Sequence, residues 1–319
     1  MSKKIIIIAC LLLVIGLLIF IVTMSANGWD FKAFGTVKYS QILHTALDEF
    51  DSIEINEDTA DIEFSLSSDD RCIVDCYEDI KMKHSVYVEN GTLKINVVNE
   101  KKWYDYIGFS FKSPKITIYL PEKEYNSLVI DTSTGDIDIP KDFTFNSVDI
   151  SISTGDVCVL GSAKDTLKIE GSTGDIDINN EYIGSIYASL STGDISISSI
   201  KNSGNINIDV TTGDICLKNI RCESLNTNGS TGDVELTNVI ASNELNIERS
   251  TGDITLLGCD AKKIHIKATT GDVFAKFNSY KNFNIYSSTG DVAAPPNSEG
   301  ENPCQIITST GDIKVSVIE

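Results

Sequence analysis

Downstream of about residue 50, apolar and polar side chains alternate with a period of two, as in Leu128 and Ile130 around Val129 or Ile137 and Ile139 around Asp138. That is the pattern of strands that bury one face. The long departure is near the start, where Ile5 to Met24 reads IIIIACLLLVIGLLIFIVTM without a charge. At ~1.5 Å of rise per residue this run is long enough for a helix to cross a hydrocarbon core of ~30 Å. It exceeds the ~7 to 15 apolar residues of a cleavable signal, and no convincing Ala-x-Ala follows it, which predicts a retained anchor. Lys3 and Lys4 precede the span and Asp30 comes before Lys32 after it, a bias that places the N-terminus inside and the remainder outside. The expected division is a cytoplasmic stub over 1–4, an anchor over 5–24, an irregular N-terminal β region or cap over 27–125 and regular repeats over 126–319.

Within the last part a Thr-Gly-Asp tripeptide recurs at Gly135 and Asp136, Gly155 and Asp156, Gly174 and Asp175, Gly193 and Asp194, Gly213 and Asp214, Gly232 and Asp233, Gly252 and Asp253, Gly271 and Asp272, Gly290 and Asp291, and Gly311 and Asp312. Successive glycines are separated by 20, 19, 19, 20, 19, 20, 19, 19 and 21 residues, too regular for chance. The apolar positions change parity across each tripeptide (128 and 130 before the first, 137 and 139 after it), so a corner must intervene if all are to point inwards. Glycine takes a positive φ there at little cost, and the aspartate can bond nearby amides. A second apolar block follows in each period, such as Val148, Ile150 and Ile152, or Ile264 and Ile266, after turns such as PKDFTFN, GSAKD and KNSGN. Phe143 and Phe145 are expected in the core, and NSGN around Gly204 is read as a secondary corner.

One such period cannot bury its apolar face alone, whereas stacked periods share a continuous core. The predicted fold is therefore all-β, a parallel β-helix or β-solenoid of about 19 to 20 residues per rung behind one transmembrane helix; ten rungs at ~4.8 Å make a rod of roughly 50 Å. A five-bladed propeller built from paired periods is the alternative.

Before the repeats, TADIEF at Thr59 to Phe64 can be laid over TGDIDI at Thr134 to Ile139, with Ala60 in the glycine position. VENGTLKINVV reads as strand, turn and strand, and KITIYLP as a strand closed by proline. These are either widened early rungs or a separate cap over the open end. The aromatic run WYDYIGFSF from Trp103 to Phe111, which includes Tyr104, Tyr106 and Phe109, either packs over that end or presents an interaction surface. After the ninth corner AAPPNSEGENP interrupts the pattern, and STGDIKVSVIE is expected to supply the terminal strand.

The formal charge of -20 argues against a nucleic-acid partner, which would require a basic footprint. Eight cysteines lack the paired spacing of zinc or redox motifs; Cys72, Val74 and Cys76 share one face of a strand, while Cys158 and Cys216 occupy equivalent outward places three periods apart. His44, His84 and His265 are too dispersed in sequence to propose a metal cluster, although folding could unite His44 with His84. No metal or cofactor is expected. The stacked aspartates admit weak calcium binding, but the tripeptide lacks the GGxGxD pattern of calcium-binding β-rolls and corner capping is the preferred role.

TADIEF, HSVYVENGTLKINV, KITIYLP and LVIDTSTGDIDIP with the rungs that follow resemble the DUF4097 β-strand-repeat proteins over roughly Phe50 to Glu319. The resemblance implies a solenoid-like fold in membrane-anchored or exported proteins of Gram-positive bacteria, described as candidate adhesins, some encoded near envelope-stress systems. It brings no catalytic residues. Recurring acid pairs such as Asp136 with Asp138 and Asp175 with Asp177 are explained more simply by a solvated face than by one polysaccharide-cleaving site. The expected function is non-enzymatic: an envelope surface module, adhesion-like or stress-associated, that binds an envelope protein or wall polymer. A ligand-free structural stalk is the alternative, and a polysaccharide-acting enzyme ranks behind both.

Overall fold

The computed structural model describes residues 3–26, 28–29, 38–46, 48–103, 113–201, 203–296 and 301–318. Helix α1 (Lys3–Ala26) is apolar around its whole circumference, and its segment Ile7–Ala26, with a mean hydropathy of 3.2, is long and apolar enough to cross a membrane once. Most of the remaining described chain is β-strand.

The repeats form a parallel β-solenoid. Rung pairs onto rung in register: Val148, Ile150 and Thr154 lie against Leu128, Ile130 and Thr134 on one side and Leu167, Ile169 and Thr173 on the other. The inward positions are mostly aliphatic, and Ile150, Ile169, Ala188 and Ile208 are each fully buried. Phe143 and Phe145 are buried as well and pack against Phe64, with ring centroids 6.0 and 6.4 Å from it.

Each rung turns first at its Thr-Gly-Asp corner and again a few residues later. The second corner is made by a residue in the left-handed region: Ser199 (φ 67°), Asn219 (φ 55°), Asn238 (φ 55°) and Gly258 (φ 66°) in successive rungs. Asparagine tolerates that conformation better than most side chains, and Asn238 Nδ2 donates to Asn219 Oδ1 at 2.9 Å. The corner expected around Gly204 is a different one: the inward positions change parity between buried Ser203 and buried Ile206, so Gly204 bends the rung once more after Ser199 has turned it. A further bend coincides with register shifts between Phe145 and Ser147, Cys222 and Ser224, or Ala241 and Glu244.

The N-terminal region combines rungs with a cap. Strands β1 (Tyr39–Ala46), β2 (Ser52–Glu57), β3 (Asp61–Leu66), β4 (Cys72–Asp79), β5 (Met82–Glu89), β6 (Thr92–Asn99) and β7 (Lys115–Leu120) precede β8 (Glu124–Thr134) and β9 (Ile137–Ile139) of the first Thr-Gly-Asp rung. Strands β2 and β3 run parallel beneath β8 and β9, with Ile62 opposite Ile137. Below them β6 pairs with β2 and β7 with β3, again parallel. The chain has thus placed its later pair further out. Antiparallel strands finish this end: β5 pairs with β6 through an Asn90-Gly91 turn with both φ positive, and β4 lies between β7 and β1. Asn-Gly suits the two-residue hairpin because both positions need positive φ.

The other end repeats the inversion. Strand Pro303–Thr310 lies between Ile254–Thr270 and Asn282–Thr289, and Ile313–Val317 lies between Val273–Phe277 and Val292–Ala293. STGDIKVSVIE is therefore not terminal in space, which corrects the expectation. The outermost rung is the preceding one, Asn282–Thr289 with Val292–Ala293.

An arginine interrupts the aliphatic core pattern. Arg249 points inwards in the column of Val210, Gly229 and Ala268 with 3% of its surface exposed, and its Nη1 donates to the Val210 carbonyl at 3.1 Å. Gly229 leaves the space the guanidinium needs, since a Cβ there would lie 1.7 Å from Arg249 Nη1. Burial lowers the proton affinity of Arg249, opposed by the nearby Asp214 and Asp233.

Candidate functional site

At the Thr-Gly-Asp corner the backbone of one rung rests on that of the next. The glycine φ angles span 123° to 148°, a region that L side chains rarely adopt. A Cβ on Gly193 would lie 1.9 Å from the carbonyl oxygen of Gly174, and one on Gly155 would lie 2.2 Å from that of Gly135. Glycine is required here both by dihedral angle and by contact.

The aspartates form a continuous ladder. The Asp136 amide donates to Asp61 Oδ1 at 3.0 Å, Asp156 to Asp136 at 2.9 Å, Asp175 to Asp156 at 2.8 Å and Asp194 to Asp175 at 2.8 Å. The series continues through Asp214, Asp233, Asp253 and Asp272 to Asp312, and ends with the Asp291 amide on Asp312 Oδ1 at 2.8 Å. Neighbouring carboxylates one strand spacing apart repel by roughly 1 kcal/mol in water and less in salt, whereas a hydrogen bond to a charged acceptor contributes ~1.5–3 kcal/mol. The amides offset the repulsion without a cation. Asp194→Asn, which keeps the acceptor and removes the charge, is therefore expected to unfold at the same or higher denaturant concentration than the parent. Asp194→Ala is expected to lose about 1 kcal/mol. Urea titrations with and without calcium check both; a calcium-dependent midpoint abolished by Asp194→Asn would make the ladder a cation site instead.

The corner places Asp136 in the ladder, while Asp138 stands in a different column, opposite Cys158. All eight cysteines are free thiols; Cys158 and Cys216 are partly exposed. Of the aromatic run's candidate residues only Trp103 is described, and it is 76% exposed; Tyr104, Tyr106 and Phe109 lie outside the described residues.

Stacking also assembles a surface that the sequence does not announce. The sixth residue before each corner glycine falls in one outward column: Tyr187, Asn207, Asn226, Asn246, His265, Gln305 and Asn284 in spatial order. Asn246 Nδ2 donates to Asn226 Oδ1 at 2.7 Å, and His265 Nδ1 lies 3.1 Å from Gln305 Oε1. Toward the end of the stack opposite the cap, this column borders a shallow groove of about 520 Å³ lined by Asn246, His265, Gln305 and Asn284, with the Glu244–Lys263 ion pair (2.8 Å) at its margin. The signal was present in the aligned periods, but the corner glycines and the aliphatic positions are more regular and conceal it.

A second ionisable group lies inside the cap end. His84 contacts Glu57 through Nε2 at 2.6 Å and Glu78 through Nδ1 at 2.7 Å, with all three side chains almost wholly buried. Burial opposes charge on the imidazole, but hydrogen bonds to Cys76 and Glu57 outweigh it and push His84 up to about 10.

A family model described as Toastrack DUF4097 matches residues 50–183 and 176–317. Among curated proteins none matches the chain. Three similar crystal structures are of a candidate lipid-binding protein from Parabacteroides distasonis, a candidate adhesin from Bacteroides fragilis and a candidate cell adhesion protein from Clostridium sporogenes. The first is 17% identical with a TM-score of 0.47 and covers 89% of this chain and 98% of its own. The second is 15% identical with a TM-score of 0.36, covering 88% and 97%, and the third 11% identical with 0.24, covering 88% and 100%. These likenesses transfer no ligand, and with two of the three from Bacteroides-group organisms they do not support assignment to Gram-positive bacteria.

Proposed function

Because the chain belongs to the Toastrack DUF4097 family, we propose that it is a non-enzymatic binding module of the cell envelope, tethered by α1 with Lys3 and Lys4 on the cytoplasmic side and the solenoid outside. The observation that carries this reading is the outward amide and aromatic column from Tyr187 to Asn284 with its groove. Rows of Asn, Gln, Tyr and His on a flat, wet face offer paired donors and acceptors at strand spacing, which suits the hydroxyls of an extended polysaccharide better than an apolar protein partner. The groove lies at the end of the stack away from the cap, whereas the first strand after the tether, β1, belongs to the cap.

The test is binding of purified envelope polysaccharide by the full chain in detergent, compared with an Asn246→Ala/His265→Ala double variant of equal thermal stability. Retention by the parent and at least tenfold weaker retention by the variant are expected. Absence of binding would leave the solenoid as a spacer, and binding indifferent to the variant would overturn the column as the site.

A further inference from the structure

We propose that Cys76, Glu78 and His84 form a zinc site that ties cap strands β4 and β5 together and, through Glu57, holds them against β2. The ligand atoms of Cys76, Glu78 and His84 lie within 4.8 Å of one another, and all three residues are buried. They come from adjacent strands, β4 and β5, whereas the carboxylate of Glu57, from β2, lies against the far nitrogen of the same imidazole. With a metal on Nδ1, the Nε2–H would donate to Glu57 Oε2; a carboxylate in that position fixes the tautomer and ring orientation of a ligating histidine.

His44 supplies an independent observation. It stands directly opposite Val74 on β1, so it shares a sheet face with Val74 and Cys76. Its Nε2 is buried with no hydrogen-bond partner; burial lowers the proton affinity of the ring, and Glu78 and His84 act on it in opposite senses. A buried ring nitrogen without a partner calls for a ligand. One thiolate, one imidazole and one carboxylate make a donor set suited to zinc with a fourth position open, rather than to calcium or magnesium.

Zinc would bind with loss of the Cys76 thiol proton, and of any proton on His84 Nδ1, to solvent, and its two positive charges would be met by the thiolate and the carboxylates of Glu78 and Glu57.

The full chain is unfolded and refolded in detergent with zinc or cobalt, then dialysed and its metal counted. One zinc per chain is expected, with a thiolate-to-cobalt charge-transfer band in the near ultraviolet and tetrahedral cobalt bands in the visible. Cys76→Ser should abolish the charge-transfer band, Glu78→Gln should weaken retention at least tenfold, and Cys222→Ser, at a buried thiol remote from the cluster, should change neither. Folded parent protein that dialyses free of both metals overturns the proposal and leaves His84 as an imidazolium between two carboxylates. An unchanged cobalt spectrum in Cys76→Ser overturns it equally. Neither outcome bears on polysaccharide retention by the outward column, so this site and the proposed binding function fail separately.

Discussion

Gly193→Ala is expected to destabilise the folded chain by roughly 3 kcal/mol or more, the combined scale of a disallowed backbone conformation and an overpacked contact. The φ of Gly193 is 130°, and its added Cβ would lie 1.9 Å from the Gly174 carbonyl oxygen. Neither fault can relax alone, because moving the Gly193 backbone away also lengthens the bond from the Asp194 amide to Asp175 Oδ1, now 2.8 Å. Urea unfolding followed by circular dichroism measures the loss. Gly258→Asn is the informative comparison: Gly258 also has positive φ, at 66°, but an added Cβ there meets nothing closer than 3.7 Å. Asn219 and Asn238 already occupy equivalent places in neighbouring rungs, so this change should cost less than about 1 kcal/mol. Equal losses at both positions would mean that dihedral angle alone, and not the contact between stacked backbones, makes the first corner glycine.

Ending the chain after Pro296 is expected to have the second large effect, although the segment removed is the last in the sequence. Cys304, Ile306, Ile313 and Val315 are buried between two other rungs, and each buried aliphatic side chain contributes roughly 1.5–3 kcal/mol of gross burial. Their loss also strips Asn282–Thr289 of its strand partner. The thermal midpoint should fall, and hydrogen exchange should show amides 282–293 unprotected together with weakened protection over 264–277. If the truncated chain instead keeps those amides protected, the outer strand has closed directly onto Ile254–Thr270, and the inserted rung is not what holds it.

The regular part of the fold was legible because one local pattern carried it. Gly135, Ile137 and Ile139 have counterparts with the same task in every regular rung, so spacing and parity sufficed. The ends were not legible, because strand order there depends on which edge a later segment meets in space. Nothing local to Ile313 or Thr92 says that one will enter between earlier rungs and the other pass beneath β2. NSGN around Gly204 marked one bend of its rung, but the turn at Ser199 was not legible, because serine, asparagine and glycine all fill that left-handed position in successive rungs. Arg249 escaped notice because an arginine in an alternating strand reads as outward, and its inward path depends on Gly229 in the adjacent rung. The His84 cluster draws on β2, β4 and β5, so its members are scattered from Glu57 to His84 with no motif spacing among them.

The out-of-order rungs at both ends bear on how such a protein lengthens. Appending another repeat to either terminus of the gene would not extend the rod, since the terminal segments are committed to seats between or beneath their predecessors. A copy inserted between Gly155 and Gly252 would meet near-identical neighbours above and below and disturb neither end. Variation in rod length should therefore arise by duplication within the middle of the gene.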